Sequence, residues 1–277
     1  MYEIVTKREL APKIYLIEVA AAEVAQKTKP GQFVILRLDD KGERVPLTIA
    51  NRDLKKGTVT IAFHAVGRST KKLAELKKGD SIQDVAGPLG NPAEIDKFGR
   101  VLCVASGVWC APIRFVAQAL REKGNKVVMV AAGRTKDTLI FEKELQEVSD
   151  ELIVATDDGS KGFKGLDFLK DLLKTQKFDY VIAMGQVVLL QTVTEITRPY
   201  NLKTMVTLAS IMVDGMGMCG ACRVTVGGET KFACMDGPEF DGHMVDFEEL
   251  IRRQRVYLPE ERMASMIYEK LGGIKRG

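Results

Sequence analysis

Four residues toward the C-terminal end carry ligand chemistry at a meaningful spacing: Asp214, Cys219, Cys222 and Cys234. Four residues separate Asp214 from Cys219, two separate Cys219 from Cys222, and eleven separate Cys222 from Cys234. Plant-type [2Fe–2S] sites use a C-x4-C-x2-C run with a distant fourth cysteine. Here an aspartate stands in the first place. Two irons sharing two sulfides need two protein ligands each, so one carboxylate and three thiolates complete the set. Gly215, Gly217 and Gly220 let the backbone wrap closely around such a cluster and turn its amides toward sulfur. Three other readings compete. The four residues suit zinc. Asp214 alone suits a turn before Gly215, with water or a partner chain as fourth ligand. The cysteines also suit inert core positions. The glycine-rich lead-in favours the cluster over zinc, and C-x2-C beside a third cysteine argues against inert packing.

Two earlier stretches carry phosphate chemistry. In Arg44-Val45-Pro46-Leu47-Thr48-Ile49, the arginine offers a planar donor fork. In His64-Ala65-Val66-Gly67-Arg68-Ser69-Thr70, amides and hydroxyls precede a short helix, which makes a natural phosphate cradle. Taken alone, the first stretch is equally an ordinary strand with a proline at a sheet edge.

The elements that position these residues fall into four segments. Residues 1–97 read as short strands separated by Gly and Asp/Lys clusters, which predicts an antiparallel β-barrel interrupted by one helix over 70–76. Residues 98–209 alternate buried strands with helices, starting from Val101-Leu102-Cys103-Val104-Ala105, and predict a doubly wound parallel sheet. Pro112 suits the first turn of its first helix and Gly124 the position past its end. Further strands are expected at 126–132, 152–156, 180–184 and 205–208, and a helix over 138–148. Residues 210–246 form the cysteine loop with a hairpin around Gly227-Gly228. Residues 247–277 form a charged tail with helical spacing.

The 277-residue chain is long enough for two ordinary cores. Its net charge of +4, with interleaved signs, is too mild to predict nucleic acid or an anionic membrane as partner. No apolar run reaches membrane-span length. The N-terminal residues run straight into a strand pattern without a signal region, so a cytoplasmic protein is expected. In a reducing compartment the five cysteines, including the isolated Cys103 and Cys110, are not expected to form disulfides.

The order of barrel, doubly wound domain and cysteine loop resembles the ferredoxin–NADP reductase superfamily. Within it the chain is similar to dihydroorotate dehydrogenase electron-transfer subunits. It is most similar to the small (alpha) subunits of NADH-dependent ferredoxin:NADP oxidoreductases, of sulfide dehydrogenase type. The most specific stretches are Cys219-Gly-Ala-Cys222-Arg223-Val224 and Cys234-Met-Asp-Gly-Pro-Glu-Phe-Asp-Gly-His243. The resemblance implies FAD and a [2Fe–2S] cluster. It places FAD against Arg44, Pro46, Leu47, Thr48 and Ile49, with Val66, Gly67, Ser69 and Thr70 at its phosphates. It also raises Asp214 from a turn residue to a cluster ligand. It implies a larger flavo-iron–sulfur partner subunit, with ferredoxin served through that subunit, and the capacity for electron bifurcation.

The pattern breaks at the nicotinamide site. Relatives that use NAD(P)H carry Gly-Gly-Gly-Val-Gly-x-Ala-Pro where this chain reads Ala105-Ser106-Gly107-Val108-Trp109-Cys110-Ala111-Pro112. Their Gly-Pro-x-x-Met-Met segment here reads Gly185-Gln186-Val187-Val188-Leu189-Leu190. Glycine lets the backbone approach a pyrophosphate, and an indole obstructs that approach. NAD(P) is therefore in doubt as a ligand. Trp109 is expected to cover the flavin face and Cys110 to sit near it. The alternatives are simple packing for Trp109 and a small buried apolar role for Cys110. At the level of the whole chain, three alternatives stay open: an ordinary NADH-dependent small subunit, an orotate-pathway electron-transfer subunit, and a non-catalytic assembly subunit.

Overall fold

The computed structural model describes residues 1–270. Seven strands build an antiparallel barrel: β1 (Tyr2–Ala11), β2 (Ile14–Ala20), β3 (Phe33–Arg37), β4 (Val45–Asp53), β5 (Thr58–His64), β6 (Ser81–Ile82) and β7 (Asp84–Leu89). Their order is β6-β1-β2-β5-β4-β3-β7. Val59, Ile61 and Phe63 alternate inward along β5 and pack with Ile17, Val34, Leu36 and Ile49. Each such buried side chain contributes about 1.5–3 kcal/mol relative to exposure. The expected helix is α2 (Arg68–Glu75). A shorter helix, α1 (Ala22–Lys27), was not legible, because six residues are too few to show a period.

A second sheet follows, with β8 (Arg100–Ser106), β9 (Lys126–Gly133), β10 (Glu151–Thr156), β11 (Phe163–Lys164), β12 (Tyr180–Met184) and β13 (Thr204–Thr207). These strands are parallel. Helices α3 (Cys110–Glu122), α4 (Glu142–Glu147), α5 (Phe168–Thr175) and α6 (Val187–Thr197) connect them. The order β11-β10-β9-β8-β12-β13 reverses between β8 and β12. Ligands of doubly wound sheets bind at the carboxyl ends of strands beside such a reversal. Here that place is Ser106 to Trp109. The helix expected over 138–148 is corrected to the single short α4. Phe141 takes a left-handed backbone (φ 62°) just before it, so no helix runs through that position.

The C-terminal part adds the hairpin β14 (Arg223–Val226) and β15 (Glu229–Phe232). Gly227 and Gly228 both adopt positive φ, as a two-residue hairpin turn of this kind requires. Strand β16 (Glu239–Asp241) then pairs antiparallel with β13 at the edge of the second sheet. The cysteine loop is thereby tied to the α/β domain. Helix α7 (Phe247–Gln254) is capped by Asp246, which accepts from the Glu249 amide at 2.9 Å, and buries Phe247 and Leu250. Helix α8 (Leu258–Lys270) lies on α2 through the Lys71–Glu269 ion pair. The final seven positions of the expected tail lie outside the described residues. No described helix is long and apolar enough to cross a membrane.

Candidate functional site

A cleft lined mostly by apolar side chains opens between the barrel and the second sheet, a place where cofactor sites commonly form. Its barrel wall is Phe33 from β3, Pro46, Leu47 and Thr48 from β4, and Ala62, Phe63 and His64 from β5. The facing wall is Val108, Trp109 and Pro112. The far end is Thr207 to Ser210, with Met212 and Pro238. Two hydroxyls there, Thr207 Oγ1 and Ser210 Oγ, are buried without a hydrogen-bond partner. Orphaned buried hydroxyls are costly unless a ligand takes them. A flat, largely apolar ring with hydrogen-bonding edges suits these walls and these two groups.

The structure places the expected flavin residues unevenly. Pro46, Leu47 and Thr48 line the cleft. Ile49 points into the barrel core and is fully buried, so its side chain is not part of the cleft. Its amide is also engaged, donating to Gln32 O at 3.0 Å. Arg44 and Val66 are exposed. Thr70 Oγ1 accepts from the amides of Val66 and Gly67, each at 3.1 Å, and fixes the entry to α2. The first amides of a helix have no intrahelical acceptor, so those of Arg68 to Thr70 remain for an anion. Ser69 Oγ donates to the Glu43 carboxylate. His64 is biased toward its neutral form by burial and by the charges of Lys13 and Arg134.

Trp109 ends a 3-10 turn over Gly107–Trp109 and reaches the cleft that Thr48 also lines. Cys110 does not. It begins α3 with 1% exposure, inside the core under the sheet, and burial pushes its thiol up to about 12. The expectation that Cys110 sits at the flavin face is corrected to a small buried packing residue, because helix α3 turns it inward.

The cysteine loop presents two pairs. Cys222 and Cys234 are each 2% exposed, and their sulfurs stand 3.3 Å apart. Sulfurs on one tetrahedral ion at about 2.3 Å stand roughly 3.8 Å apart, so a small side-chain rotation admits a metal. Burial and the adjacent Cys222 keep the Cys234 thiol protonated without metal, up to about 12; a bound cation inverts that preference. Asp214, half-buried, and Cys219, exposed, form the outer pair. The Asp214 carboxylate accepts from the amides of Met216 (2.9 Å) and Cys219 (2.6 Å), which holds it below the usual carboxylate range. Among the described residues no three such groups converge on one point. The Asp-x4-Cys-x2-Cys spacing with a distant third cysteine suits two irons held by two pairs of ligands. Gly215 (φ 73°) is pressed against the barrel. A Cβ there would lie 2.6 Å from Ile35 Cδ1.

Sequence reasoning missed Thr207, Ser210 and Met212. The signal was available for Thr207, which ends the last parallel strand where ligands of such sheets bind.

Comparison with known proteins fits this geometry. Residues 209–246 match the iron–sulfur cluster binding domain of dihydroorotate dehydrogenase B. A dihydroorotate dehydrogenase B (NAD(+)) electron-transfer-subunit homolog from Thermotoga maritima is 44% identical, over 98% of this chain and 96% of its own. The corresponding electron-transfer subunit of Bacillus cereus is 33% identical, over 86% of this chain and 94% of its own. A solved structure of the NADH-dependent reduced ferredoxin–NADP oxidoreductase, a system of flavin-based electron bifurcation, superposes with a TM-score of 0.92. It is 43% identical over 98% of both chains. Phthalate dioxygenase reductase, 17% identical with a TM-score of 0.61, shares the fold. FAD and a [2Fe–2S] cluster are the cofactors of such a chain. The chain belongs to the family of dihydroorotate dehydrogenase B electron-transfer subunits and their ferredoxin–NADP oxidoreductase homologues, and is an electron-transfer subunit of a flavin and iron–sulfur oxidoreductase.

Proposed function

We propose that this subunit relays electrons between a flavin held behind Trp109 and a cluster held by Asp214, Cys219, Cys222 and Cys234. Bound FAD supplies two-electron chemistry and the cluster carries single electrons. Thr48 offers its hydroxyl and backbone to the ring edge, while Pro46 and Leu47 form the apolar wall. Arg44 and the α2 entrance at Val66, Gly67, Ser69 and Thr70 face the phosphates. Cys222 and Cys234 hold the inner iron, and Asp214 and Cys219 the outer one. Met212 lines the cleft and belongs to the same apolar core as Cys222 and Cys234, which joins the two sites through packed side chains.

The observation that carries the reading is the position of Trp109 in the lining of the cleft that Thr48 also lines. An indole there occupies the approach that a nicotinamide ring uses in relatives. The electron-pair partner of this flavin is accordingly not a nicotinamide bound in the usual way. The family resemblance supports assembly with a larger flavo-iron–sulfur subunit that serves ferredoxin, bifurcation in that complex, and a cytoplasmic location.

The competing reading is an ordinary NADH-dependent subunit. One feature favours it: Gly107 keeps positive φ with open space beside it, so the backbone can still be approached at that position. Anaerobic mixing of the complex with NADH decides between them, using a variant that isolates this flavin spectroscopically. The blocked reading predicts no bleaching in wild type and bleaching in Trp109→Gly. Rapid bleaching in wild type overturns it.

A further inference from the structure

Thr207 and Glu239 are directly opposed across the β13–β16 pair. Opposed residues project to the same face, with Cβ atoms about 4.5–5.5 Å apart. Thr207 is 2% exposed and lines the flavin cleft. Its Oγ1 lacks a partner, and so does Glu239 Oε2, which is buried as well. The other Glu239 oxygen accepts only a long bond, 3.4 Å, from the Glu94 amide. Glu94 in turn pairs with Lys203 at 2.7 Å, and both of these side chains are about half exposed. The buried carboxyl of Glu239 thus stands between a hydroxyl of the cleft wall, across the strand pair, and the backbone of a residue that carries a surface ion pair.

The surroundings leave Glu239 without a compensating charge at close range. Tyr180 of β12 and Cys103 of β8 face the region from the sheet, and both are kept neutral by burial. Glu94 from the segment before β8 and Asp241 on β16 are acidic. Lys203 is the cation that acts on Glu239, and it is already paired to Glu94. Burial first, and Glu94 in addition, push the Glu239 carboxyl up to about 7. A carboxyl poised near neutrality both gives and regains a proton readily.

We propose that Glu239 is the proton reservoir of the flavin cleft, acting through the Thr207 hydroxyl and refilled from the Glu94–Lys203 surface. This rests on the reading that FAD occupies the cleft. When two electrons enter the ring, one proton must accompany them to a ring nitrogen. With FAD bound, Thr207 would pass its hydroxyl proton toward the ring and take one from Glu239 through a bridging water, since the two side-chain oxygens make no direct bond. Glu239 becomes a carboxylate and is reprotonated from solvent. The electrons come from the subunit's own redox partners, or from dithionite in the test.

The test follows proton uptake with an indicator dye while dithionite bleaches the flavin of the assembled complex. In wild type, uptake keeps pace with bleaching below neutrality and falls behind above it. Glu239→Gln should lag at every pH, by roughly a hundredfold on the scale of general acid catalysis, and small weak acids such as formate should restore it. Thr207→Val should lag in the same way while keeping the Glu239 titration. That titration is read independently, as a protonated-carboxyl infrared band in the reduced-minus-oxidised spectrum that Glu239→Gln removes. Uptake in step with bleaching at every pH in a flavin-loaded Glu239→Gln complex overturns the proposal. Failure of the cleft reading itself looks different: Thr207→Val and Trp109→Gly would then leave the flavin's absorption spectrum unchanged.

Discussion

At Asp214 the chain departs from four-cysteine ligation, and the carboxylate is already held ionised by the amides of Met216 and Cys219. A harder oxygen ligand on the outer iron changes the potential, since ligand identity is the protein's main control over a cluster. Asp214→Cys should keep a cluster and shift its midpoint in a redox titration; an unchanged midpoint removes Asp214 from the ligand set. Glu239 makes a second residue-level prediction. Its folded-state pKa, about 7, lies above the ordinary carboxyl value. The folded form therefore binds more protons than the unfolded chain between the two values, and this residue's contribution falls as pH rises through that window. Glu239→Gln should flatten the loss of stability from about pH 4.5 to about pH 7, by on the order of 3 kcal/mol, in urea unfolding series at several pH values. A wild-type slope that survives in the variant contradicts the burial argument. Of these two residues, Asp214 was a candidate from spacing, beside a turn reading, and the family resemblance raised it to a proposed ligand. Glu239 was not legible, because its environment is created by a strand pairing that joins distant parts of the chain.

The elements that mattered most were read from local patterns. Continuous apolar runs marked β8 and β12, and Gly227-Gly228 marked the hairpin β14–β15. Helices α5 and α6 went unread, α6 because apolar residues surround nearly its whole circumference and blur the helical period. The long helix expected before β10 failed at Phe141, whose left-handed backbone no sequence pattern announced. The cysteine loop shows how an element depends on its support. Gly215 needs positive φ and has no room for a methyl group against Ile35 of β3. Gly215→Ala should cost about 2 kcal/mol or more in backbone strain and contact, and should lower cluster content in iron analysis. Full iron loading at wild-type stability would show that the loop does not press on the barrel as described.

Across the whole molecule, three structural units meet at one cleft. The barrel supplies Pro46 to Thr48, the α/β domain supplies Trp109 and Thr207, and the cysteine loop closes the end with Ser210 and Met212. The general architecture and the cluster loop could be read from the sequence. At the far end of the cleft only Thr207 carried a signal, at the end of a parallel strand; its opposition to Glu239 arises only when β16 crosses back to pair with β13. The central claim is that one chain carries flavin in this cleft and an iron–sulfur cluster in this loop. Iron, acid-labile sulfide and FAD content of the anaerobically purified protein, wild type against Cys234→Ser, tests it most directly. The account predicts two irons and two sulfides in the wild-type loop, loss of both in Cys234→Ser, and FAD retained in both proteins. Zinc in place of iron, or iron and sulfide undiminished in Cys234→Ser, would contradict it.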